Sequence, residues 1–118
     1  FTPDGKTMSG MPMAFWRQVF AYNFADYWMK VNTNVLSLWG ENEFIASRID
    51  HPYIAEIVNK VKPGTAKYVE VKDSDHGFFK TTSMQDSFTK WSQPGKEVNP
   101  AVVDILVEWA ERVRNGGS

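Results

Sequence analysis

The sequence predicts an α/β fold with a parallel sheet, and three observations carry that reading. Two short runs, the apolar Val35-Leu36-Ser37-Leu38-Trp39 and the mixed Ala66-Lys67-Tyr68-Val69-Glu70-Val71, have strand character. An amphipathic helical pattern lies between them, and strand, helix and strand fit within about 37 residues, the length of a right-handed parallel crossover unit. A second amphipathic helix closes the chain. Two strands and about three main helices are therefore expected.

The elements follow in order. Residues 1 to 10 carry Pro3, Asp4-Gly5 and Ser9-Gly10, which is turn chemistry without periodicity, and read as a loop. From Pro12 to about Val31 the apolar positions Trp16, Phe20, Phe24 or Tyr27, and Val31 recur every three to four residues, predicting one helix with a broad aromatic face. Asn32-Thr33-Asn34 is a turn before the first strand, which Gly40 terminates. Asp50 reads as an N-cap and Pro52 suits a first helical turn; Ile54, Ile57, Val58 and Val61 then form one apolar face, stopped by Pro63-Gly64. Ser83 to Trp91 predicts a short helical turn before Gln93-Pro94-Gly95. In the last helix Asn99 is the cap, Pro100 takes the first position, and Val102, Ile105, Leu106, Trp109 and Val113 form the stripe up to Asn115-Gly116.

Composition narrows the function. The 118 residues are 42% apolar and suffice for one domain at most. With 13 basic and 14 acidic residues, a net charge of −1 and no basic cluster, neither nucleic acid nor an anionic membrane surface is expected as a partner. No apolar run approaches the ~18 residues of a membrane span. The absence of cysteine excludes disulfides and thiolate metal sites and leaves the compartment unassigned, while His51 and His76 without an H-E-x-x-H spacing predict no zinc site. No cofactor is implied. Nine of the 17 aromatic residues fall in the first 39 positions, more than a thin surface segment can bury by itself. A two-stranded parallel sheet is likewise incomplete, so the chain is expected to be part of something larger or to associate with another copy.

Two loops carry the candidate chemistry. Asp73-Ser74-Asp75-His76-Gly77-Phe78 places an imidazole directly after the second strand, and Gly40-Glu41-Asn42-Glu43 places carboxylates directly after the first. An acid followed by a histidine, each at a strand end, is the back half of a Ser, acid, His order. From Val35 to the C-terminus the chain resembles the C-terminal part of the α/β-hydrolase superfamily, in which a strand ends in G-x-x-D and a later loop opens with a histidine in D-H-G or G-H-G-F. The resemblance implies the carboxyl-terminal part of a doubly wound, mainly parallel sheet. It also implies His76 as the catalytic base and Glu43 as the triad acid, with Glu41 the alternative. Glutamate where the family usually has aspartate lengthens the arm by one methylene, and Trp39 stands where a histidine is frequent. On this reading residues 34–118 are the C-terminal part of the hydrolase domain, and residues 1–33, a loop and aromatic helix, are a candidate cap element.

Plainer readings apply to several of these residues. His51 reads as a solvated helix-start residue, and Glu41 and Glu43 are solvated loop acids unless a partner approaches. The Trp16, Phe20, Phe24, Tyr27 stripe reads as packing. Asp73 and Asp75 lack the further oxygen ligands of a calcium loop. No G-x-S-x-G occurs, and Ser9, Ser37, Ser74, Ser83 and Ser87 all lack the strand-to-helix elbow of a nucleophile. The expected function is the acid-and-base part of a serine esterase or peptidase-like acyl hydrolase acting on a small ester or peptide. The remainder of the hydrolase domain would supply the nucleophile. The alternatives are a non-catalytic interaction module of hydrolase-derived architecture and a helix-swapped homo-oligomer.

Overall fold

The computed structural model describes residues 2–117 and is mixed α/β, with five helices and two small sheets. The N-terminal segment is not all loop. Strands β1 (Thr7–Met8) and β2 (Met11–Pro12) pair antiparallel around Ser9 and Gly10, both with positive φ, as a tight hairpin reversal requires. The aromatic stretch expected as one helix is two, α1 (Met13–Phe20) and α2 (Phe24–Met29). The N–H groups of Ala21 and Tyr22 turn back to the carbonyls three residues earlier, which tightens the end of α1, and Asn23 is then extended at φ −88°, ψ 96°. The break lets the Tyr22 ring pack against those of Phe24 and Tyr27, 6.4 and 5.7 Å away.

The crossover unit forms where the pattern places it. Strand β3 (Val35–Gly40) and strand β4 (Ala66–Val71) pair in parallel from Val35 opposite Ala66 to Gly40 opposite Val71, joined by helix α3 (Asp50–Val61). Helix α3 lies against both strands and carries α2 on its other side. Its cap position is Ile49, one residue before the predicted Asp50, which instead sits in the first turn with its carboxylate near the positive end of the helix dipole. Asn59 ties the helix to the start of β4, accepting from Thr65 and Ala66 N–H and donating to the Ala66 carbonyl. His51 is not simply solvated: half-buried, its ring meets Trp39 edge-on at 4.8 Å, and Nδ1 faces the Ser47 carbonyl at 3.1 Å.

After β4 the chain runs through the His76 loop to helix α4 (Met84–Lys90) and helix α5 (Pro100–Arg114). Ser83 caps α4 by accepting from Asp86 N, while the Asp86 carboxylate accepts from Thr82 N, a reciprocal cap. Asn99 caps α5 as the sequence predicts, with Pro100 following it, and also donates to the Lys72 carbonyl and Ser74 Oγ. The last helix is thereby hung on the loop after β4.

The core is thin. Trp39, Ala55, Ile57, Val58, Val71 and Val102 are the buried apolar residues among those described, clustered where α3 crosses the two strands and where α5 begins. Phe15, Phe20, Tyr22, Phe24 and Tyr27 of the N-terminal segment and Leu106 and Val107 of α5 stay exposed. The radius of gyration is 16.9 Å, against about 13.5 Å for a compact domain of this length. Apolar area left bare on this scale drives association. Sedimentation of the purified chain at tens of micromolar is expected to give a species heavier than the 13.5 kDa monomer; a monodisperse monomer would contradict this.

Candidate functional site

β3 and β4 end side by side, so the loops that follow leave from one edge of the sheet. Strand ends at such an edge leave backbone groups and side chains free of the ladder, which is where parallel α/β folds carry chemistry. The main chain of the His76 loop crosses directly over Gly40. A Cβ built on Gly40 would stand 2.2 Å from the Asp75 carbonyl oxygen and 2.7 Å from that of Ser74, so no larger residue fits without moving the loop.

The three residues after Gly40 each tie into the opposite loop. The Glu41 carboxylate accepts from Asp73 N–H at 2.9 Å and from Lys72 Nζ at 3.1 Å. The Asn42 side chain, buried, donates to the carbonyl and Oγ1 of Thr81 at 2.9 and 3.1 Å, and its backbone N–H donates to the Ser74 carbonyl at 2.8 Å. Glu43 Oε2 is hydrogen-bonded to Nδ1 of His76. Its other oxygen, Oε1, accepts from the N–H groups of Ile45 and Ala46, the latter at 3.1 Å. The arrangement separates the two candidate acids: Glu43 lies on the imidazole, and Glu41 holds the backbone at Asp73.

Glu43 is 4% exposed and His76 is 44% exposed, so the carboxylate is enclosed and the imidazole reaches solvent. Facing a carboxylate oxygen, Nδ1 is the donor, which leaves Nε2 of a neutral ring as an acceptor. Among the described residues none hydrogen-bonds Nε2. An imidazole oriented in this way can take a proton at Nε2 while the acid stabilises the cation that forms.

The loop that presents His76 is itself tightly built. Asp75 is fully buried, and its Oδ1 accepts from Gly77 N–H at 2.9 Å and Phe79 N–H at 3.0 Å, closing the turn around the histidine. Asp73 and Phe78 both adopt left-handed φ, 50° and 59°, the latter costly for an aromatic residue, on the order of 1–2 kcal/mol. The hydrogen bonds of Asp75 and the donation of Asn99 N–H to the Phe78 carbonyl at 2.8 Å offset that strain. Asn42 and Asp75 are the site residues whose roles sequence reasoning misses: the partner of Asn42 is 39 residues away, and Asp75 reads there as a flank of the histidine motif and a rejected cation ligand, not as the residue that closes the loop. The Asp-His-Gly order is the one available signal for Asp75.

Of the five serines weighed above, four have other places in the fold and the fifth, Ser87, is enclosed. Ser37 Oγ donates to the His51 carbonyl, Ser74 Oγ donates to the Lys72 carbonyl and accepts from Asn99, Ser83 is a helix cap, and Ser87 is fully buried in α4. Ser9 turns the hairpin.

Two outcomes test this construction. Gly40→Ala should destabilise the chain by about 1–3 kcal/mol or more, because the Ser74–Asp75 backbone must be displaced; an unchanged urea midpoint would mean that the crossing is loose. The Asp73 amide and then Lys72 hold the Glu41 carboxyl below its ordinary value of 4.5. A depressed acid contributes stability above its unfolded pKa and loses it as pH falls through the folded one. The stability gap between the natural chain and Glu41→Gln should therefore be present near neutrality and close progressively below pH 4.5, as read by urea unfolding across that range. No protein-family model, curated protein or solved structure matches this chain.

Proposed function

We propose that this chain is the carboxyl-terminal part of an α/β-hydrolase domain and supplies the acid and the base of a serine acyl hydrolase, with the nucleophile on a segment outside this sequence. The observation that carries the reading is the Glu43 to His76 Nδ1 hydrogen bond at the shared edge of two parallel strands. Acid and histidine follow their strands in the family's order, and the buried carboxylate has the histidine on one oxygen and backbone amides on the other. Such a carboxylate fixes one imidazole tautomer, and an exposed Nε2 is placed to serve a group arriving from outside.

In the proposed reaction Nε2 of His76 takes the proton of a serine hydroxyl as its oxygen attacks the carbonyl carbon of an ester or peptide. The imidazolium, stabilised by Glu43, returns that proton to the departing oxygen or nitrogen. Water then repeats the sequence on the acyl-serine and releases the acid. The oxyanion hole, built in this family from backbone N–H groups beside the nucleophile and in an early loop, would come with the same external segment. No cofactor enters the scheme.

A second reading, an interaction module, is favoured by one specific observation, the exposed aromatic surface of α1 and α2. Residues Tyr22, Phe24, Tyr27, Trp28 and Val31, on and beside α2, line an open groove of about 580 Å³. The two readings separate by experiment. In the longer protein carrying a strand-flanked G-x-S-x-G, His76→Ala should lower kcat on an activated ester by on the order of 10⁴-fold or more, with circular dichroism unchanged. The present chain alone should show no acylation burst. An undiminished rate in the His76 variant would overturn the hydrolase reading in favour of the interaction module.

A further inference from the structure

We infer that the rings of Phe44, Phe88 and Trp91 beside His76 form a subsite for an aryl leaving group, so that the preferred substrates are aryl esters; this rests on the hydrolase reading above. The rings come from three places. Phe44 follows the acid Glu43 in the loop after β3, Phe88 lies on α4, and Trp91 ends that helix. Their centroids are 5.4 Å apart for Phe44 and Phe88 and 5.6 Å for Phe44 and Trp91, and Trp91 stands 5.9 Å from the His76 ring. The four rings are thus one contiguous surface that begins at the imidazole.

That surface is both held and open. The reciprocal Ser83 and Asp86 cap and the Lys90–Asp86 ion pair fix α4, and Lys96 Nζ donates to the Trp91 carbonyl at 2.9 Å. Even so, Phe88 is 64% exposed and Trp91 40%. Phe88 at the end of the chain of edge-on contacts and Trp91 within it, both this exposed, can accept a further ring in the same geometry.

Chemistry selects the occupant. The group that receives the proton from His76 must lie within hydrogen-bond reach of Nε2, so the surface touching the imidazole is met by the leaving group. The interplanar angles of 65° to 83° along the His76, Trp91 and Phe44 contacts are edge-to-face, an arrangement that another aromatic ring continues and an alkyl group does not. Lys96 Nζ, 4.9 Å from the Trp91 centroid and 4.6 Å from that of Phe79, holds the Trp91 indole by a cation–π contact. The step balances: the serine Oγ–acyl bond forms, the acyl–O(aryl) bond breaks, and the proton His76 took from serine ends on the phenol.

Phenol itself is the probe. Titrated into the isotopically labelled chain, it should shift the His76 ring and Trp91 indole resonances, binding roughly 3- to 10-fold more tightly than cyclohexanol. Trp91→Ala and the exposed-site variant Phe88→Ala should each weaken phenol several-fold, whereas Phe20→Ala in α1 should not. Equal affinity for the two alcohols, shifts confined to the Tyr22 and Trp28 groove, or binding unchanged in both Trp91→Ala and Phe88→Ala would overturn the subsite. Failure of phenol to bind beside Trp91 in the unsubstituted chain, with a His76-dependent esterase intact in the longer protein, rejects the subsite alone. Phenol bound at Trp91 beside an esterase rate indifferent to His76 rejects the reaction, leaving an aryl-binding surface.

Discussion

The crossing of the His76 loop over Gly40 is the constraint on which the rest of the site depends. Two parallel strands of equal length end together, and the backbone of the second loop runs where a side chain on Gly40 would otherwise stand. Once Ser74 and Asp75 lie on Gly40, the residues following that glycine have no freedom to avoid the opposite loop. Glu41 meets the Asp73 amide, Asn42 meets Ser74 and Thr81, and Glu43 meets His76. Four successive positions thus become one interlocked unit.

The polar network is more complete than the apolar core beneath it. Buried Asn42, Glu43, Thr81 and Asn99 hydrogen-bond across the two loops and at the cap of α5, and buried Asp75 does so through Oδ1 while its Oδ2 has no partner among the described residues; the buried apolar set is Trp39 and five smaller side chains around α3 and the start of α5. A largely paired network of this kind favours one geometry, because a partial rearrangement leaves further buried polar groups unpaired. The N-terminal helices contrast with it. They put their aromatic rings against one another and into solvent, and α2 touches the remainder through α3. The sheet edge that carries Glu43 and His76 is held by this network, while the broad exposed aromatic surface lies elsewhere, on α1 and α2.

The longer arm of glutamate has a consequence at the site. Oε2 reaches the imidazole while Oε1 is still close enough to its own backbone to accept the N–H groups of Ile45 and Ala46, two and three residues on. The carboxylate thereby closes a local turn over Ile45 and Ala46, at the start of the segment leading to α3. The same turn sets Phe44 against Trp91 and Phe88, so acid placement and the aromatic surface beside His76 are geometrically linked.

The distance over which each interaction acts decides how legible it is in the sequence. Both β3 and β4, the helices α3 and α5, and the cap at Asn99 depend on neighbours within a few residues, and alternation, helical spacing and turn residues announce them. The positions of the acid and histidine loops are readable for the same reason, since each loop begins where a strand run stops. Periodicity cannot show that the aromatic stretch breaks at Ala21–Asn23, because the spacing of apolar residues continues through the break. It cannot choose between Glu41 and Glu43, two carboxylates of equal reach in sequence, nor reveal the hold of Asn42 on Thr81 or the approach of Trp91 to His76. Those last two contacts join residues 39 and 15 positions apart. They are decided by the in-register ends of two paired strands and the main-chain crossing at Gly40, which exist only once the sheet has formed.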